Sequence, residues 1–264
     1  MYKTGLSLTL AAFGLVMSAA AQEKRLNCDD REWSSKRSHS CEMREQTIAQ
    51  AARLTIDSRS NGGISVKAWD RAEILVRSQV RGEGESEGEA KAIAAQVIVH
   101  ANGGMIAADG PSQKQWSVSY EVFVPRKTDL TLTAHNGGIR IDEIQGNIEF
   151  TTANGGVRLN RLAGQVKGRT QNGGVRVELA GVRWEGQGLD VQTKNGGVPL
   201  NIPARYAAHL ETTTVNGGMR CEFPEIALQR GKRDVSADLG GGGALVRVGT
   251  VNGGAAALYC IKSQ

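Results

Sequence analysis

The tripeptide Asn-Gly-Gly recurs eight times in 264 residues, beginning at Asn61, Asn102, Asn136, Asn154, Asn172, Asn195, Asn216 and Asn252. Successive starts lie 41, 34, 18, 18, 23, 21 and 36 residues apart, so the basic unit is about eighteen residues, with two gaps near twice that. A short fixed period marks a chain built from stacked units, each burying its apolar face only against its neighbours.

Aligning the last six copies on their asparagine exposes the pattern around it. Six positions before it stand Leu130, Ile148, Val166, Leu189, Leu210 and Val246, and two before it Ala134, Thr152, Thr170, Thr193, Thr214 and Thr250. Three positions after it stand Ile139, Val157, Val175, Val198, Met219 and Ala255; five after it, Ile141, Leu159, Val177, Leu200, Cys221 and Ala257. Apolar residues and threonine alternate with polar ones at period two, which reads as a strand with one buried face on either side of the motif. The motif itself reads as a corner. Glycine accepts positive φ freely and asparagine better than most residues, so a tight reversal of the chain is the expected reason for the repeated sequence.

Two all-β architectures satisfy this register. In a single-stranded β-helix, or β-solenoid, each eighteen-residue unit is one coil, and equivalent residues stack in parallel ladders about 4.8 Å apart. In an antiparallel β-meander each Asn-Gly step would be a two-residue hairpin turn. Identical side chains recurring at identical offsets favour the solenoid.

The segments "WSVSYEVFVP", "TDLTLTAHNGGIRI", "GNIEFTTANGGVRLNRLAG", "GLDVQTKNGGV", "LETTTVNGGM" and "VRVGTVNGG" resemble the bacterial putative-adhesin family, exported β-helical domains of unknown function. The resemblance runs from Arg53 to Tyr259 and implies a β-helical fold and an envelope or surface address. It carries no catalytic residues with it.

Outside the repeats the chain reads in three parts. Residues 1–21 have the Lys3, apolar Leu6–Val16 and Ala19-Ala20-Ala21 of a secretory signal peptide, and no later stretch reaches the roughly 20 apolar residues that span a bilayer. Residues 22–50 are polar and read as a cysteine-stapled cap over the open end of the stack, ahead of a β-solenoid domain over 51–264. In an oxidising compartment four cysteines pair by default; of the three connectivities, the local pairing Cys28–Cys41 with Cys221–Cys260 is the expected one. The expected location is therefore periplasmic, extracellular or at the cell surface.

One column of outward residues carries binding chemistry. Four positions after each asparagine an outward column carries Arg140, Arg158, Arg176, Pro199 and Arg220, a ladder of guanidinium forks suited to sulfate, phosphate or uronate groups. Asp142 and Glu178 stand two residues farther along the same strands and offer themselves as neutralising partners. Trp184, in an insertion between motifs, is the one tryptophan expected to reach a ligand at the surface.

Asp190 and Glu211 share a second column, on consecutive coils, near the spacing that glycoside hydrolysis needs. Their cationic neighbours Lys167 and Arg247 make a solvated ionic face the simpler reading. Serine-elbow, P-loop and dinucleotide motifs are absent from the sequence, and metal-ligand spacings with them; the corners lack the aspartates of calcium-binding β-rolls. With 32 Lys and Arg against 27 Asp and Glu the chain is mildly basic without a basic block, so nucleic acid is not an expected partner.

The reading is therefore an exported, non-enzymatic, adhesin-like β-solenoid without cofactor or metal. Its candidate partners are anionic envelope polysaccharide, anionic lipid or a surface protein. A structural envelope protein without a ligand is the alternative, and a polysaccharide-active enzyme the third.

Overall fold

The computed structural model describes residues 26–28, 37–113, 115–223, 226 and 233–263, with backbone alone for 254–260, 262 and 263. The expected signal peptide and much of the expected cap lie outside the described residues.

Strands β1 (Ser38–Ile48), β2 (Arg53–Asp57), β3 (Ile64–Trp69) and β4 (Ile74–Gly84) precede one helix, α1 (Glu87–Gln96). After it come β5 (Ile98–Asn102), β6 (Met105–Asp109) and β7 (Gln115–Pro125). The short units then supply paired strands: β8 (Asp129–Asn136) with β9 (Ile139–Asp142), β10 (Gln145–Asn154) with β11 (Val157–Asn160), and β12 (Ala163–Asn172) with β13 (Val175–Glu178). One further pair, β14 (Gly188–Asn195) with β15 (Val198–Pro203), leads to β16 (Ala208–Cys221), β17 (Asp234–Leu239) and β18 (Leu245–Ser263). The described residues are all-β apart from this helix, whose start is capped by the Ser86 hydroxyl accepting from the Glu89 amide.

The period-two pattern does what it dictates. Along β10, Ile148, Phe150 and Thr152 are buried while Glu149 and Thr151 are exposed; along β11, Val157 and Leu159 are buried and Arg158 is exposed. Both flanks of a corner thus face one continuous core. Each such aliphatic or aromatic side chain contributes about 1.5–3 kcal/mol by leaving water.

Successive units pair in parallel at an offset of eighteen. Ile148 is partnered by Leu130 on one side and Val166 on the other, and Val157 by Ile139 and Val175. Two ladders result. One runs β2–β8–β10–β12–β14–β18–β16, the other β3–β9–β11–β13–β15–β18–β16, the two long strands spanning both.

Three departures from the sequence reading follow. The sheet is mixed rather than a simple solenoid over 51–264: β4 pairs antiparallel with β1 and β7, β5 with β6, and β17 with β16. The expected cap therefore contributes β1 as an antiparallel edge strand. Stacking order also leaves chain order, because β18 lies between β14 and β16. Finally, the hairpin alternative holds at one copy alone among the described residues: Asn102 pairs antiparallel with Met105 across Gly103 and Gly104, at φ 52° and 79°.

The other seven asparagines form a ladder. Each side-chain Nδ2 donates to the next Oδ1, in the order Asn216, Asn252, Asn195, Asn172, Asn154, Asn136, Asn61, at 2.7–3.1 Å. Gly62, Gly196 and Gly217 take the positive φ expected of corner glycines, at 139°, 154° and 155°, while others answer to crowding alone. Gly137, Gly155 and Gly173 are absent from the positive-φ residues, but a Cβ on any of them would collide with the glycine carbonyl of the adjacent corner. Those carbonyls also take the threonine hydroxyls. Thr152 donates to Gly137 O at 3.0 Å, Thr170 to Gly155 O at 3.0 Å, Thr193 to Gly173 O at 2.7 Å and Thr250 to Gly196 O at 2.8 Å.

Candidate functional site

The outward column four residues after each corner becomes a row of neighbours. Arg158 is the register partner of Arg140 on one side and Arg176 on the other, and Ser65 heads the row opposite Arg140. With strands about 4.8 Å apart, three guanidinium groups are carried on three consecutive rungs. They rim a groove of about 640 Å³ that runs from Leu26 to Pro199, with Gly63, Gly138, Gly156 and Gly174 in its lining. Bare backbone at those glycines leaves the groove without side chains along one wall. The arginines supply its charge.

Those charges are not equally neutralised. Arg140 donates through Nε to Asp142 Oδ2 at 2.6 Å, and Asp142, only 2% exposed, also accepts from Asn160. Glu178, the other expected counter-charge, turns to Arg161 instead, at 3.4 Å. Arg158 and Arg176 are exposed and make no ion pair or hydrogen bond among the described residues. Holding like charges on adjacent rungs is unfavourable without a counter-ion. That leaves two adjacent guanidinium forks available to an anion.

Arg220 keeps its place in the column but lies one rung farther along it than its offset implied. Its register partner is Tyr259 of β18, which in turn pairs with Pro199, so one strand separates Arg220 from the β15 rung. Trp184 also departs from expectation. It is 5% exposed, packs in the core and donates Nε1–H to Gly164 O at 2.9 Å, so it is not available at the surface.

Ser65 and the glycine wall were not singled out from sequence, although both recur at fixed offsets from the asparagines and were open to the same alignment. Asp142 was found because it shares a strand face with Arg140. Its burial and its bond to Asn160, eighteen residues on, needed the stack.

No family model matches the sequence, and no curated protein matches it. Among solved structures the chain is similar to a putative cell adhesion protein of Clostridium sporogenes, at 10% identity and TM-score 0.44, over 84% of this chain and all of that one. It is also similar to a putative adhesin of Bacteroides fragilis, at 10% identity and TM-score 0.35, over 83% and 97% of the two chains. A putative lipid binding protein of Parabacteroides distasonis gives 10% identity and TM-score 0.36, over 84% and 97%. Its structural neighbours are bacterial putative adhesins in the main.

The carboxylates of the second column lie in the ionic face that their cationic neighbours implied, but they are not adjacent to one another. Arg247 stands between Asp190 and Glu211 in register, with Nη1 3.4 Å from Asp190 and both Nε and Nη2 2.7 Å from Glu211. Hydrogen bonding from Arg247 holds the Glu211 carboxyl below the usual carboxylate range. An acid that must donate a proton near neutral pH needs the opposite shift. Among the described residues no three His, Cys, Asp or Glu side chains are grouped to hold a metal.

Cys28 and Cys41 are joined in a disulfide. Cys221 is the ladder partner of Cys260, whose side chain lies outside the described residues. A structural disulfide fits an extracytoplasmic protein, and no described helix is long and apolar enough to cross a membrane.

Proposed function

We propose that the stacked units form a β-solenoid within the mixed sheet, and that the protein is an exported, non-enzymatic, adhesin-like binding module of the cell envelope or surface. Its ligand is a repetitive anion, an acidic polysaccharide or an anionic lipid, lying along the arginine groove. One observation carries this reading: Arg158 and Arg176, exposed and unpaired among the described residues, sit on adjacent rungs beside a groove. A planar fork binds carboxylate, sulfate or phosphate through two parallel hydrogen bonds, and a rigid sheet sets the spacing in advance. The non-enzymatic part is supported by Arg247, whose hydrogen bonds to Glu211 lower its pKa, the opposite of what a glycosidase's acid requires.

The test is retention on immobilised acidic polysaccharide and on anionic vesicles at low and moderate salt, for the parent protein and an Arg158→Glu, Arg176→Glu variant. Removal of two charge-assisted contacts should weaken binding roughly 100-fold, and parent binding should fall with salt. Equal retention of both proteins would overturn the groove as the site. Failure of the parent to bind any envelope fraction would favour a purely structural role, which the stiffness of a seven-asparagine ladder also suits.

A further inference from the structure

Each Asn-Gly step is also a chemical liability. The glycine amide nitrogen attacks the asparagine Cγ, the Cγ–Nδ2 bond breaks, ammonia leaves, and a succinimide remains. Water then opens the ring at either carbonyl, giving aspartate or isoaspartate. The sequence places this liability at eight positions, and glycine, without a Cβ, hinders the attack least.

We propose that Asn102 is the protein's site of spontaneous deamidation and isoaspartate formation, and that the asparagine ladder protects the corner copies. The reaction needs a glycine nitrogen able to lose its proton and turn toward Cγ, and a side-chain amide able to rotate. In the ladder both are occupied. The glycine N–H following Asn61, Asn136, Asn154, Asn172 and Asn195 donates to the backbone carbonyl of the neighbouring corner's asparagine, at 2.8–3.2 Å. The amides of Asn136, Asn154, Asn172, Asn195 and Asn252 each donate through Nδ2 and accept at Oδ1. Attack there requires opening several hydrogen bonds of a rigid parallel sheet at once.

Asn102 has none of these restraints. It ends β5 at an exposed hairpin tip, and its side chain makes no hydrogen bond among the described residues. The Gly103 nitrogen donates to no backbone carbonyl that constrains it, and a Cβ on Gly103 would meet nothing within 4 Å, so the tip has room to move. The same tripeptide is thus locked in one setting and open in the other. The product carries one more negative charge at neutral pH, two residues from His100, whose Nε2 lies 3.2 Å from Asp109.

The experiment is peptide mapping by mass spectrometry, with enzymatic methylation of isoaspartate, after warm incubation of the purified protein at mildly alkaline pH. Asn102 should lose its amide at least roughly 10-fold faster than Asn154 or Asn172, because each ladder bond that must open adds its own factor. In denaturant the rates at the eight sites should converge. Asn102→Gln should abolish the fast phase without moving the unfolding transition. Comparable rates across all sites in the folded protein would overturn the proposal. So would an Asn102 lead that persists undiminished in denaturant, since sequence and not the ladder would then set the order.

Discussion

At the scale of single residues, the two glycines of one corner do different work. A Cβ on Gly155 would collide with Gly137 O, whereas on Gly156 its nearest neighbour, Gly174 O, is an ordinary contact at 3.6 Å. Gly155→Ala is therefore expected to force adjacent coils apart and cost about 1–3 kcal/mol. Gly156→Ala should stay within about 0.5 kcal/mol of the parent. Denaturant unfolding of the two variants checks this, and equal losses would show that backbone conformation rather than crowding selects the glycines. The repeated motif was legible in the sequence, but only part of its cause was: positive φ holds at Gly62, Gly196 and Gly217 and not at Gly137, Gly155 or Gly173. Positive φ is a property of one residue, while the collision needs the neighbouring coil.

Among elements, the two corners of a unit are held by different means. Opposite the asparagine ladder, Glu143 and Arg161 turn the chain at φ 61° and 51°, a region non-glycine residues enter seldom. Arg161 Nη2 lies 2.5 Å from Glu143 Oε1, Arg126 Nη2 lies 3.2 Å from Oε2, and Arg161 reaches on to Glu178. Hydrogen bonding from Arg161, with its charge and Arg126 adding to it, holds the Glu143 carboxyl below its ordinary value of 4.5. A folded pKa below the unfolded one gives stability that is present above about 4.5 and lost as pH falls through the folded value. Glu143→Gln should accordingly cost about 0.5–1 kcal/mol at neutral pH, a modest figure because the pair is partly solvated. Thermal unfolding of parent and variant should converge as pH drops below about 4.5. A gap that persists in acid would mean that shape and not charge holds this corner.

For the whole molecule, the decisive feature is the placement of β18 between β14 and β16. Asp190 then faces Arg247 rather than Glu211, and Arg220 is set off from the arginine row by the Tyr259 rung. The C-terminal strand thus stands inside the ladder and separates the two carboxylates that sequence alone put side by side. Ending the chain at Gly243 removes the fully buried Val246 and Val248 and leaves β14 and β16 without the rung that joins them. Such a truncation should lose cooperative unfolding and bind a hydrophobic dye, read by circular dichroism and fluorescence. Retention of a sharp transition would show that the stack is sound without its last strand.

What the sequence determined by itself is whatever depends on a fixed offset within one unit. The buried columns flanking Asn136, Asn154, Asn172 and Asn195 and the outward row of Arg140, Arg158 and Arg176 follow from side-chain period. What only the tertiary structure decided is which unit lies beside which. Trp184 reads as exposed because its insertion breaks the period, yet it is buried against the stack. Asn102 reads as one corner among eight, yet it becomes a hairpin, with Met105 exposed and Ile106 buried, whereas Ile64, Ile139, Val157, Val175 and Val198, third after their asparagines, are buried. Short-range alternation fixes which face of a strand is apolar. The order of parallel rungs is set by contacts between residues far apart in the chain, and identical corners give those contacts no local mark.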